Sequence, residues 1–401
     1  MIKFLWEVLK YAPVVAIPLT GCTITEAPQP TTAPPDIVLP TQTLEIKSPP
    51  LVFVSAPSQV GNAVVPPTAS DDNVIIRTYY GTNRKATGSA TPSEAFSTEE
   101  AGVSYGVADV SIPKEHRLGH LEGPIIDTRY LKNPSKHVLL MGIRPLEKDV
   151  LLTLIRQEVE KSQGKSALVF IHGYNVSFED AARRTAQLSY DLGFEGPPIF
   201  YSWPSKQNEI RYKDDGLAIQ HSIPMITIFL EDIFKKTDAD NVYLVAHSMG
   251  NRAMAAAMAT LIQDESIRPK VKQLVLTAPD IGADEFESKF APALAKAGAP
   301  ITLYASSKDV ALKLSKKYNH NRRLGDTNGS VSVIKGIETI DASAVKTDFL
   351  GHSYFAESGS VISDIYYLFR TDLRPGQRFN MKGIDSPNGK YWAFQSNLCM
   401  P

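Results

Sequence analysis

Cysteine is almost missing from this chain: 401 residues contain two, Cys22 and Cys399. That excludes a disulfide framework as the source of stability and a zinc site built on paired cysteines. An excess of charge of one sign is also lacking. Lys and Arg number 42 and Asp and Glu 43, for a net charge of −1, with no basic run. Nucleic acid is therefore not expected as a partner. Long hydrophobic runs are absent as well. The longest near the N-terminus, Tyr11 to Leu19, is interrupted by Pro13 and Pro18 and is too short to span a bilayer as a helix. No internal repeat is visible.

The apolar run does have a partner in sequence. Lys3 and Lys10 precede or open it, and it ends in Leu19-Thr20-Gly21-Cys22. This tetrapeptide resembles the lipobox of bacterial lipoproteins, which implies cleavage before Cys22 and lipid on its sulfur and new amino terminus. Residues 1–21 are then a signal peptide, and Cys22 binds the protein to a membrane. An ordinary secretory peptide with an incidental cysteine is the alternative. Thr23, not Asp, follows the cysteine. By resemblance to Gram-negative sorting, that implies a cell-envelope protein at the outer membrane, facing the periplasm. With Cys22 lipidated, Cys399 has no partner for an intramolecular disulfide.

Residues 22–72 are rich in Pro, Thr, Ala and Ser, as in Ala27-Pro28-Gln29-Pro30. Proline removes backbone donors and favours extended chain, so this stretch reads as a semi-rigid tether. A folded domain is expected over 73–375 and a tail over 376–401. The domain opens with strand patterns at Val74 to Tyr80, Ser104 to Ile112 and His137 to Ile143. Helical and strand patterns then alternate. Strands are expected at Ala167 to Ile171, Ile199 to Trp203, Val242 to Val245, Gln273 to Thr277 and Ile301 to Ala305, with further strand signal over Val331 to Ile340. This order predicts an α/β fold, with a mostly parallel central sheet and extra strands at one edge.

One junction stands out. The apolar run Val242 to Val245 is followed by Ala246-His247-Ser248-Met249-Gly250 and then by the small-residue helical pattern from Asn251 to Met258. A buried strand, a serine among small residues and a helix form the context of a nucleophile elbow. Ala246 stands where the pattern usually has glycine and adds one methyl.

Serine is a weak nucleophile until a base takes its proton and a third group orients that base. In this arrangement acid and base follow the serine. Of eight histidines, only His320 and His352 come after the elbow. His352, in a Gly-containing loop between the last strand signal and the last helix, is the favoured base, and His320 lies in a polar segment. Asp309 is the first candidate for the acid and Asp280 the second, because each follows a strand at the end where ligands gather. Donors for a developing oxyanion are the backbone N–H groups of Met249 and Tyr174, the latter in His172-Gly173-Tyr174-Asn175. His172 and His247 read as structural. Ser205 to His221, mixing Ile210 and Tyr212 with charges, reads either as a rim or lid at the substrate entrance or as a connecting loop.

His172-Gly173-Tyr174-Asn175, Tyr201-Ser202-Trp203-Pro204-Ser205, Ala246 to Arg252, Ala278-Pro279-Asp280 and Gly351-His352-Ser353 together resemble a bacterial α/β-hydrolase subfamily of unknown function in the esterase/lipase superfamily. Tyr80 to Arg84, Tyr105-Gly106-Val107 and Ile112 to His116 resemble its N-terminal blocks. The resemblance spans roughly residues 74–370. It implies the α/β-hydrolase fold, helices on both faces of the sheet and a Ser-Asp-His hydrolase. Taken together, the sequence points to a membrane-tethered serine hydrolase acting on an acyl ester, most readily a carboxylesterase, with no cofactor or metal required. An amidase, thioesterase or acyltransferase would use the same residues. The rival reading is a non-catalytic envelope lipoprotein that uses the fold as a binding module.

Overall fold

The computed structural model describes residues 72–123, 132–345 and 359–395. Cys22, the signal and tether segments and His352 lie outside the described residues. Within them, one eleven-stranded sheet carries the fold, in the order β10-β11-β9-β8-β7-β6-β4-β5-β1-β2-β3. The strands are β1 (Asn73–Ala86), β2 (Phe96–Pro113), β3 (Leu139–Leu146), β4 (Ser166–Ile171), β5 (Pro198–Ser202), β6 (Asn241–His247), β7 (Val271–Thr277), β8 (Ile301–Ala305), β9 (Glu338–Asp341), β10 (Met381–Ser386) and β11 (Gly389–Phe394). Only β2 and β10 run against the others. The mostly parallel sheet with extra strands at one edge, here β1 to β3, is the one the sequence implied.

The central strands are apolar at consecutive positions because both faces are covered. Val169, Ile171, Leu244, Leu274 and Leu276 enter one core, whereas Leu168, Phe170, Tyr243, Val245 and Val275 enter the other. The first core is closed by α1 (Lys148–Lys161), α3 (Tyr212–Lys236) and α4 (Gly250–Leu261) through Ile155, Ile226 and Met254. The second is closed by α2 (Phe178–Asp191), α5 (Val310–Asn319) and α6 (Gly359–Thr371) through Ala182, Leu312 and Ile365. By length and composition α3 could cross a membrane, but half of its most apolar stretch is buried in this fold, as in a core helix.

Three sequence expectations are corrected. Within the stretch expected as a tail, residues 381–394 belong to the sheet: β10 and β11 pair as a hairpin, and β11 joins β9 through Trp392 and Ala393. These strands are six residues each and largely exposed at the sheet edge, so they carry little hydrophobic signal. The strand signal at Val331 to Ile340 reduces to Glu338–Asp341. The stretch from Ser205 is not a charged loop throughout, since helix α3 begins at Tyr212 and both Tyr212 and Asp215 are buried.

Next to α2 lies a buried charged clasp. His116 Nδ1 is 2.7 Å from Glu122 Oε2, and its Nε2 is 2.9 Å from Asp191 Oδ1. Burial works against a charged ring here, but the two hydrogen-bonded carboxylates outweigh it and raise His116 to about 9. His116 is thus protonated when folded and has an ordinary value near 6.5 when unfolded. Its contribution to stability is complete below pH 6.5 and is lost as pH rises through 9. Thermal melting across that window should fall more steeply for the wild type than for His116→Gln. Equal slopes would show that the clasp contributes nothing.

Candidate active site

Strands β4, β6, β7, β8 and β9 end side by side. Ile171 pairs with Ala246, His247 with Thr277, Thr277 with Tyr304 and Ala305 with Asp341. Their parallel order therefore sets His172, Ser248, Ala278 to Asp280 and Ser306 to Asp309 along one edge of the sheet. Loops leaving one edge of a parallel sheet are where functional groups converge.

Ser248 occupies the turn between β6 and α4 with a φ of +52°, in the left-handed region that a β-carbon disfavours. The strain is held by hydrogen bonds. Ser248 N–H donates to Thr277 O at 3.0 Å, and its carbonyl accepts from Asp280 N–H at 3.1 Å and Asn251 N–H at 3.2 Å. The Asn251 side chain adds Nδ2 bonds of 3.0 Å to Ser248 O and 3.1 Å to Thr277 O. Sequence reading found the turn but not Asn251, whose role depends on bringing β7 beside the elbow.

The facing loop approaches closely. A β-carbon on Gly173 would sit 2.7 Å from the Ser248 Cβ, and one on Gly250 would sit 2.4 Å from His172 O. Glycine is therefore demanded at both positions by space. Ala246, by contrast, is fully buried within β6.

The orientation of the facing loop has a traceable cause. His172 is buried and stacks on Trp203 with ring centres 5.0 Å apart. Burial, reinforced by the nearby Arg84 cation, lowers it to about 3, so it is neutral. Its Nδ1 lies 2.8 Å from Gly173 O, a pure acceptor, so that nitrogen carries the proton. Its Nε2 then accepts from the Ser202 hydroxyl at 3.3 Å, and Ser202 Oγ accepts from Arg84 Nε at 2.9 Å. Because a peptide is planar and trans, fixing the Gly173 carbonyl aims the Tyr174 N–H to the opposite side. Arg84 also donates to Val176 O at 2.7 Å and Ser205 O at 3.1 Å. Asp215 completes the anchorage, accepting from Asn175 N–H at 3.0 Å, Ser205 Oγ at 2.6 Å and Lys206 N–H at 2.6 Å. Asp215 is thus a buried brace. The Ser205–His221 stretch stands beside the Tyr174 loop, and the Tyr212 and Tyr174 rings are 5.7 Å apart.

The two aspartates differ sharply. Asp280 is buried with both oxygens occupied. Tyr212 Oη donates to Oδ2 at 2.6 Å and Arg252 Nη2 lies 3.2 Å from it; Ser315 Oγ donates to Oδ1, and Arg323 Nε lies 2.9 Å from it. Burial opposes its charge, but the two guanidiniums hold the carboxyl below its usual range. Asp309, also buried, caps α5: its Oδ1 accepts from Leu312 N–H at 2.9 Å. Among the described residues, no group of three His, Cys, Asp or Glu side chains could hold a metal ion.

Gly250→Ala should force the elbow helix away from the His172 carbonyl and cost about 1–3 kcal/mol, as overpacking typically does. Chemical denaturation would measure it, and an unchanged midpoint would contradict the close approach.

A family model described as "alpha/beta hydrolase of unknown function (DUF900)" matches residues 147–369. Solved structures similar to this chain include an inhibited esterase B from Lactobacillus rhamnosis, with 12% identity over 76% of this chain and 87% of that one and a TM-score of 0.31. A Pyrobaculum calidifontis esterase has 13% identity over 72% and 87%, with a TM-score of 0.31. A carboxylesterase from Bacillus subtilis has 10% identity over 52% and 85%, with a TM-score of 0.28. No curated protein matches. The family match covers more than half of the chain and takes in the elbow, the loop facing it and the strands between them, so this protein belongs to the alpha/beta hydrolase family of unknown function.

Proposed function

We propose that this protein is a membrane-tethered serine hydrolase of carboxylic esters. Ser248 Oγ attacks the acyl carbonyl while His352 takes its proton. Asp309 orients His352 and stabilises the imidazolium, and the N–H groups of Met249 and Tyr174 receive the oxyanion. The ester C–O bond then breaks, the alcohol leaves with the proton from His352, and the acyl group stays on Ser248. Water activated by His352 releases the acid and restores the serine.

The observation that carries this reading is the left-handed turn at Ser248, packed against Gly173. Strain of this kind persists only where surrounding structure holds it, and it collects at functional sites. The neutral His172 supports the Tyr174 assignment, since it fixes the peptide whose other side bears that N–H. Asp309 is favoured over Asp280 because both Asp280 oxygens already serve two arginines, a tyrosine and a serine. Asp309 stands directly before α5, at the end of β8 on the edge of the sheet where Ser248 lies, and its Oδ1 accepts from Leu312 N–H. The tethering part of the proposal rests on the resemblance of Leu19-Thr20-Gly21-Cys22 to a lipobox.

Ser248→Ala should fold normally and lose both fluorophosphonate labelling and ester hydrolysis. Labelling that survives would put the nucleophile elsewhere. Asp309→Asn keeps a capping side chain, so its melting temperature should change little while turnover falls by about 10⁴-fold, as in the template triad. Asp280→Asn should do the reverse, lowering stability and sparing turnover of the molecules that remain folded. An Asp280→Asn enzyme that is stable but inactive would exchange the two roles. Cys22→Ala should abolish lipid attachment, which mass spectrometry of the membrane fraction would detect.

A further inference from the structure

Helix α5, which Asp309 caps, has two unlike sides. Leu312 and Ser315 are buried. Val310, Leu314 and Tyr318, spaced four residues apart and so on one stripe, are 39%, 52% and 54% exposed. Elsewhere, Ile210 is 87% exposed in the turn before α3, and Leu217 is 57% exposed in its second turn. The stripe meets α3 where the Tyr318 ring stacks on Tyr212, centres 5.7 Å apart and planes 22° apart. Tyr212 in turn touches the Tyr174 ring of the loop facing Ser248. The apolar surface therefore adjoins the candidate site.

Cations flank it. Lys313, Lys316, Lys317 and Arg322 line an open hollow of about 580 Å³, with Asp326 as its one acidic side chain. Lys316 faces Asp326, and Arg322 pairs with Glu287. Among the described residues no carboxylate pairs with Lys308, Lys313 or Lys317. Single exposed apolar residues are ordinary on protein surfaces. An apolar stripe with unpaired lysines along its side has a more specific complement: acyl chains below and anionic headgroups around them.

We propose that the exposed face of α5 docks on an anionic phospholipid surface, so that the esters reaching Ser248 are acyl esters of membrane lipids. This rests on the proposed role of Ser248. It assigns the apolar stripe to the acyl boundary and Lys308, Lys313 and Lys317 to the headgroups. A lipid at Cys22 would hold the chain at the membrane without choosing which face of the domain meets it; the apolar stripe and its lysines would make that choice.

The test reads the face locally, because residues 1–22 could hold the chain on vesicles by themselves. Leu314→Trp is made in the full chain and mixed with brominated-lipid vesicles of phosphatidylcholine alone or with phosphatidylglycerol. The new indole should be quenched on the anionic vesicles and much less on the neutral ones, and salt should reverse the quenching. Adding Lys313→Glu and Lys317→Glu should weaken the quenching at least about tenfold in lipid concentration, at about 1 kcal/mol per lysine. Hydrolysis of a soluble short-chain ester should be unchanged. Tyr318→Trp provides a second reporter should Leu314→Trp fold poorly. Vesicles that carry the protein while both indoles stay unquenched, or quenching indifferent to lipid charge, would overturn the docking proposal. Absence of soluble-ester hydrolysis in the wild type would instead overturn the hydrolase reading and leave the quenching result standing.

Discussion

A serine backbone held at a φ of +52° is the constraint around which this structure is arranged. The conformation is unfavourable for a residue with a β-carbon, at about 1–3 kcal/mol, so neighbouring elements must enforce it. Strand β7 supplies an acceptor at Thr277, helix α4 supplies Asn251, and the start of the next loop supplies the N–H of Asp280. Each bond comes from a different element, which is why the turn requires the parallel sheet to be assembled. Glycine at 173 and 250 then lets the facing loop and the helix approach to contact distance.

Behind the turn, polar groups are buried in two sets with different tasks. Arg84, Ser202 and His172 form a directional chain that ends on the Gly173 carbonyl. Every link has one feasible donor and one acceptor, because the histidine is neutral. Asp280 forms the other set, in which two guanidiniums share one carboxylate and join α3, α4 and the segment after α5. Removing one partner from such a buried set strands a charge and costs far more than losing a surface pair. The first set bears on the direction of one N–H, and the second on the placing of helices beside it.

The same edge of the sheet also presents the most exposed apolar side chains of α5 and the turn before α3. A core helix would bury such a stripe. Here Leu312 alone among the leucines of α5 packs inward, and Leu314 faces outward with Lys313 and Lys317 beside it. Position along the chain links this surface to the site, since α5 begins at the residue proposed to orient the base.

Local pattern determined a good deal by itself. The alternation of apolar strands with helices, the small residues around Ser248 and the glycine of His172-Gly173 are properties of short segments, and they specified the sheet and the elbow. Candidate acids could be named because both follow strands. What the sequence could not decide was which carboxylate is consumed by structure: the partners of Asp280 are 28 residues before it, 43 after it and in two other elements. Likewise Asp215 looked like a rim charge until folding set it against Asn175, 40 residues away. The C-terminal hairpin was hidden because an edge strand exposed to water needs no apolar alternation. Short-range periodicity reports what each segment can bury, whereas the pairing of buried charges and the aim of a single N–H depend on contacts that exist only once the sheet has brought distant residues together.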